Sequence, residues 1–222
     1  AINRFLQDDL IRAAAPCGVN AKAAPSGELI EKAIPRVAQS LARQPAVAAQ
    51  LYAALGDTLL KLGRPAPAAQ AMELAIERFT ALHGALDERV LQQRLLRAEV
   101  EEYAGRYDSM HAQLEALKAD VAPLGPTHRL ALSVARNLAW ADYLGGDFAK
   151  AAAGFEAVRA RAIAARSEDT KGMADGYAAL SMSLSRLGRH QEALDAANEA
   201  RRLRTTLLGA TVAPVGAVGT SV

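Results

Sequence analysis

Cysteine is nearly missing from this chain. Of 222 residues only Cys17 carries a thiol, so no intrachain disulfide can form and the stapled folds of small secreted domains are excluded. The compartment stays open, because a helical array needs no staples. Aromatic residues are also few, at 5%, with a single tryptophan, while half of the chain is apolar. That balance is Ala/Leu-rich and helical, and speaks against a β-sandwich or barrel. The net charge of +2 is too small to single out nucleic acid or an acidic membrane surface. No apolar run approaches the ~18–20 residues of a membrane span. The chain opens at Ala1 without a methionine or a signal-peptide pattern, and is expected to be part of a longer protein.

Signatures of chemistry are equally scarce. The four histidines (His83, His111, His128, His190) stand far apart, with no cysteine near one, so surface or turn positions are expected and no metal site. Asp8–Asp9 and Glu101–Glu102 are adjacent pairs, which diverge on a helix; they are expected to be solvated or capping. Nothing around Cys17 lowers its pKa. "LGGDF" lacks the lysine and serine or threonine of a phosphate-binding loop, and no Gly-x-Ser-x-Gly elbow occurs. "RRLR" (201–204) reads as a solvated helix end, where positive charge suits the dipole. Neither a catalytic residue nor a cofactor is expected.

What the sequence does contain is a repeat. "LGRP", "AGRY", "GGDF" and "LGRH" carry Gly63, Gly105, Gly146 and Gly188, at intervals of 42, 41 and 42 residues. Internal periods of this length mark stacked supersecondary units. Upstream of Gly63, Leu51, Tyr52, Leu55, Leu59 and Leu62 recur at helical spacing, and downstream Ala68, Ala71, Met72, Ala75, Ile76 and Phe79 do the same. A glycine between them fits a left-handed helix C-cap. Each unit therefore reads as helix A, a tight turn and helix B. Ala68, Ala151 and Ala193, each five residues past its glycine, let the two backbones approach, while Met72, Leu114 and Phe155 fill the space one turn on. One unit cannot bury its apolar face alone, so stacking is required.

This pattern resembles the tetratricopeptide family. Its words fall on Tyr52, Leu55-Gly56, Leu59, Ala68, Met72 and Ala75 in the first unit, and on Tyr177, Leu180-Ser181, Leu184, Ala193, Ala197 and Ala200 in the fourth. The second unit departs from it: Arg97-Ala98 replaces the Leu-Gly pair, and Met110 the small residue. The period exceeds the usual ~34 residues and is similar to the long repeats of kinesin light chains and bacterial regulators. A HEAT-type array shares the period, but the glycine–aromatic turn and spaced alanines fit it less well. The resemblance implies an all-α solenoid of antiparallel helix pairs coiled into a right-handed superhelix. Four repeats are expected at about 47–84, 86–122, 127–167 and 170–208. Residues 1–46 would form N-terminal helices and a degenerate capping unit. There, 28–44 is amphipathic, bent or started by Pro35 and stopped by Pro45, and 15–27 is irregular. The tail 209–222 is expected to be disordered or to lie extended along a groove.

In the family the A helices line the concave face and bind peptides. "RNLA" (136–139) resembles the "NNLA" word of kinesin-light-chain-like repeats, whose asparagine grips a peptide backbone. With Leu138 and Ala139 buried, Arg136, Asn137, Trp140 and Tyr143 would face the groove. Asparagine can satisfy a peptide N–H and C=O, arginine a carboxylate, and tryptophan supplies an anchoring surface. Neighbouring A helices would add Asp57 and Lys61, then Gln92, Glu99 and Tyr103, then Met182 and Arg186. The bland alternative has Trp140 packed between units and Asn137 capping or bridging helices.

"FLQDDLI" (5–11) resembles the segment that opens the repeat region of CadC-like winged-helix transmembrane regulators and of some Ser/Thr kinases. The resemblance implies a non-catalytic interaction or sensing domain of a bacterial transcriptional regulator, with a protein or peptide partner and no direct nucleic-acid contact by this segment. The alternatives are the repeat region of a kinase, and a stand-alone scaffold that self-pairs as a homodimer. The compartment would be periplasmic after a membrane helix, and otherwise cytoplasmic.

Overall fold

The computed structural model describes residues 26–166 and 169–211. These residues hold nine α-helices, one 3₁₀ turn and no strand. The helices are α1 (Ser26–Ser40), α2 (Pro45–Lys61), α3 (Pro65–His83), α4 (Glu88–Tyr103), α5 (Tyr107–Val121), α6 (Arg129–Leu144), α7 (Phe148–Ala164), α8 (Thr170–Arg186) and α9 (His190–Thr211). They form the antiparallel pairs of an α-solenoid. Two compact units divide between Val121 and Ala122. None of the described helices is long and apolar enough to cross a membrane. Of the stretches read as N-terminal helix and loop (1–27) and as an irregular tail (209–222), residues 1–25 and 212–222 lie outside the described residues, whereas 26–27 and 209–211 are helical, within α1 and α9.

The first unit stacks α1 on the pairs α2/α3 and α4/α5. Its core joins Ile34 and Val37 of α1 to Leu55, Leu59, Met72 and Phe79 of the next pair. Pro35 neither starts nor ends α1, which runs through it and stops at Ser40. A mid-helix proline removes one hydrogen bond, and here the segment is held by the burial of Ala33, Ile34, Val37 and Leu41. Pro45 opens α2, and Pro65 opens α3, where the missing N–H would have had no helical partner anyway.

The second unit stacks α6/α7 on α8/α9 around Ala139, Ala151, Phe155, Leu180 and Leu184. Its small residues mark close approach: a Cβ on Gly154 of α7 would lie 2.8 Å from Ala139 Cβ of α6. In the first unit a Cβ on Gly56 would come within 2.7 Å of Met72 Cγ. Ala68 and Ala151 are fully buried, and Met72, Leu114 and Phe155 fill the space beyond.

Each pair is closed by the same cap. Gly63, Gly105, Gly146 and Gly188 have φ of 69°, 66°, 91° and 75°. At every one the glycine N–H reaches the carbonyl three residues back, and the following N–H reaches five back. In the first cap these are Gly63 to Leu60 and Arg64 to Leu59, both at 2.9 Å; in the last, Gly188 to Ser185 and Arg189 to Leu184. That is a Schellman motif, and it satisfies the otherwise unpaired carbonyls of the A helix. The residue accepting the longer bond is Leu59, Glu101, Asp142 or Leu184. Two leucines and two acids thus share one position, buried at Leu59, Glu101 and Leu184 and half-buried at Asp142.

The acids there are paired, which corrects the expectation that the Glu101 side chain is solvated or capping. It is 2% exposed and accepts from Arg106 Nε and Arg97 Nη1, each at 2.5 Å. Arg97, which replaces the family's leucine, also reaches Glu73 at 2.9 Å. The hydrogen bond from Arg106, with that from Arg97, holds the Glu101 carboxyl at about 2 against the desolvation that would raise it. Asp142 is bound to Lys150 at 2.8 Å. Arg97, the polar departure of the second unit from the family pattern, therefore belongs to one network with Glu73, Glu101 and Arg106.

A second ladder joins B helices to the A helices that follow. Gly84 and Gly125 have φ of 90° and 92°, and Arg166, at the same 41-residue interval, has φ 49°. Three residues beyond the first two, Asp87 and His128 cap α4 and α6, accepting from Arg89 N and Leu130 N. The sequence shows this ladder only as two glycines, because its third step is an arginine.

Candidate binding cavity

α6 begins at its His128 cap and buries Leu130, Leu132, Val134, Leu138, Ala139 and Ala141. This leaves Arg136, Asn137, Trp140 and Tyr143 half-buried along one flank. Opposite runs α8, capped by Asp169, whose carboxylate accepts from Gly172 N at 2.8 Å. Arg136 Nη1 stands 3.7 Å from the same carboxylate. Gly172 leaves room for this arrangement, since an added Cβ would collide with the Asp169 carboxylate and the end of the Arg136 guanidinium, and one or both would have to move.

Between α6 and α8 opens a cavity of about 240 Å³, lined by Arg136, Asn137 and Trp140 on one side and Asp175 and Met182 on the other, with Arg204 of α9 at its rim. Four residues expected in a groove therefore meet in one place. Asn137 also donates to Ser133 O at 3.1 Å, along its own helix. Trp140 stacks on Tyr143 with centroids 5.1 Å apart and planes 8° from parallel. Tyr143 packs on Phe148 at 5.3 Å, and the Arg186 guanidinium lies 4.5 Å over the Phe148 ring. Tyr143 and Arg186 thus belong to a stack that fixes Trp140, beside the cavity and not in its lining.

Two charged lining residues, Asp175 and Arg204, were not assigned to a groove from sequence, nor were Phe155, Ala178 and Ala179. Asp175 accepts from Lys171 at 2.9 Å and faces Arg204 at 3.4 Å. Burial works to raise its pKa, but the bonds from Lys171 and Arg204 hold it below the ordinary carboxylate value. Arg204 is exposed, as the reading of 201–204 as solvated expects, but it is not at a helix end, since α9 runs on to Thr211. One signal was available: shifting Arg136 and Asn137 by 42 residues gives Ala178 and Ala179, which line the same cavity.

The remaining candidates lie in the first unit. Asp57 and Lys61 pair with each other at 2.6 Å on α2. Gln92 Oε1 is buried with no protein hydrogen-bond partner. Glu99 is half-buried, and Tyr103, at the end of α4, is 56% exposed.

The tetratricopeptide repeat family model matches residues 49–79, the α2/α3 pair. The chain has a tetratricopeptide-repeat fold. Among solved structures, BtubC (BKLC) from P. vanneervenii matches this tetratricopeptide array with a TM-score of 0.66 at 19% identity, over 99% of this chain and 82% of that one. A Podosopora anserina kinesin light chain protein with nearly identical TPR-like repeats gives 0.58 at 18% identity, over 92% of each chain. A single-residue variant of that protein gives 0.61 at 18% identity. At such identities the likeness is one of fold. No curated protein matches the sequence.

Proposed function

We propose that this chain is a non-catalytic protein-interaction module that takes an extended, polar peptide segment into the α6/α8 cavity. The observation that carries the reading is the convergence of Arg136, Asn137, Trp140 and Met182 on one cavity of about 240 Å³. Trp140, held by its stack, offers a fixed apolar wall with little rotamer entropy to lose. Asn137 supplies amide donor and acceptor chemistry for a peptide backbone, and Arg136 and Arg204 flank it with charge that Asp175 partly balances. Titrating peptide pools while following Trp140 fluorescence tests this. Asn137→Ala and Arg136→Ala are each expected to weaken binding at least several-fold, and binding unchanged in both variants would remove the site.

The finer role is that of the sensing part of a bacterial winged-helix regulator, supported by the resemblance of residues 5–11. Regulation by a bound peptide then requires different affinities for two states of the whole protein. The complete gene decides it: a winged helix favours this role, a kinase signature the selector role, and neither a scaffold.

A further inference from the structure

The fourth repeat carries a seat that the third repeat fills. On the third pair, α8 lies along α7, with Met173 and Tyr177 lining a narrow seam against Phe155, Arg159 and Ala162. The Arg159 guanidinium sits 5.9 Å over the Tyr177 ring. One period of 42 residues carries Ala152 to Leu194, Phe155 to Ala197, Arg159 to Arg201 and Ala162 to Arg204. Ala152, Phe155 and Ala162 are buried by the next pair. Leu194, their counterpart on α9, is 55% exposed, and Ala197 and Arg204 are exposed too. Ala197, Ala200, Arg201 and Arg204 of α9, with Ala178 and Met182 of α8, line a trough of about 410 Å³.

The chemistry of this trough differs from that of its filled counterpart. Its floor is alanine where the third pair has phenylalanine, and an arginine stands where that pair has alanine. Arg201 donates to the neutral Asn198 Oδ1 at 3.2 Å, and Arg204 reaches Asp175 only at 3.4 Å. A shallow, small-residue floor of helical repeat geometry, flanked by two guanidiniums, is complementary to a helix with carboxylates beside an apolar stripe. We propose that the α8/α9 trough docks an acidic amphipathic helix of a partner protein, in the position that α8 takes on the third pair. The site adjoins the Trp140 cavity, with Ala178, Met182 and Arg204 bordering both, but Arg136, Asn137 and Trp140 are not part of it.

α8 itself supplies the probe. In the third pair Met173 shares the seam with Ala162, whose counterpart is Arg204. A fluorescein-labelled peptide of residues 169–186 carrying Met173→Glu is titrated into the full chain by anisotropy, beside the same peptide carrying Met173→Lys. The Glu peptide is expected to bind saturably and at least tenfold more tightly than the Lys peptide. Arg204→Glu should reverse that order, Arg201→Glu should weaken the Glu peptide, and Asn137→Ala should change neither. Circular dichroism melting of each variant checks the fold. Equal binding of the two peptides, absence of saturable binding, or loss with Asn137→Ala overturns the proposal. Tighter binding after removal of residues 212–222 also overturns it, by making the chain's own tail the occupant.

Discussion

Among single residues, Glu101 carries the largest electrostatic stake. Its carboxyl is held at about 2 in the fold, against an ordinary value of 4.5. A depressed carboxyl stabilises above its unfolded pKa, and that contribution is lost as pH falls through the folded one. The network should therefore contribute fully above pH 4.5 and fade toward pH 2, by about 3 kcal/mol in all. Urea unfolding of Glu101→Gln across that range tests it. The variant should be about 3 kcal/mol less stable at pH 7 and show a flatter acid limb. Gly172→Ala belongs to the same scale. Its Cβ meets both the Asp169 cap and Arg136, so the variant should lose about 1–2 kcal/mol and weaken peptide binding, as melting and Trp140 fluorescence will show. Neither role was legible in sequence. Glu101 stands next to Glu102, and adjacent residues on a helix gave no sign of which one turns inward. Gly172 matters through Asp169 and Arg136, which only the packing of α8 on α6 brings together.

Elements were far easier to read. Glycine in the left-handed region is a backbone requirement, so it recurs wherever the cap recurs, and four such caps 41–42 residues apart imposed a visible period. Gly63→Ala and Gly146→Ala should each cost about 1 kcal/mol, although no atom crowds either position; chemical denaturation of each variant measures it. The inter-pair ladder is the instructive failure. Its third step is Arg166 at φ 49°, and a left-handed side-chain-bearing residue is strained by roughly 1–2 kcal/mol. Arg166→Gly should therefore raise stability by up to about 1 kcal/mol, net of the entropy glycine adds to the unfolded chain. A fall in melting temperature would count against that account. The candidate cavity was half legible. Arg136, Asn137, Trp140 and Met182 follow from the family resemblance laid onto the A-helix spacing, while Asp175 and Arg204 depend on how α9 folds back along α8.

Within each of the two units, each helix packs chiefly on its neighbours in sequence, so stability there accrues by nearest-neighbour interfaces. Local opening should be easiest where, among the described residues, a face has no further pair upon it. In hydrogen exchange, the exposed flank of α9 should exchange faster than α7, which α8 covers. An acidic helix seated on the α9 trough should slow α9 selectively.

The identical Schellman caps carry a further consequence. Each closes its A helix using only residues from the five positions before the glycine to the one after it, so every cap is self-sufficient. Joining Gly63 directly to Arg106 would remove 42 residues and still leave an intact cap, with Arg106 in the place of Arg64. Removing half that length, residues 64–84, would instead delete the whole of α3 and join α2 to the loop before α4, leaving an A helix without its antiparallel partner. Gain or loss of sequence in this chain is therefore quantised: it is tolerated in whole periods, and the caps act as splice points that set the step.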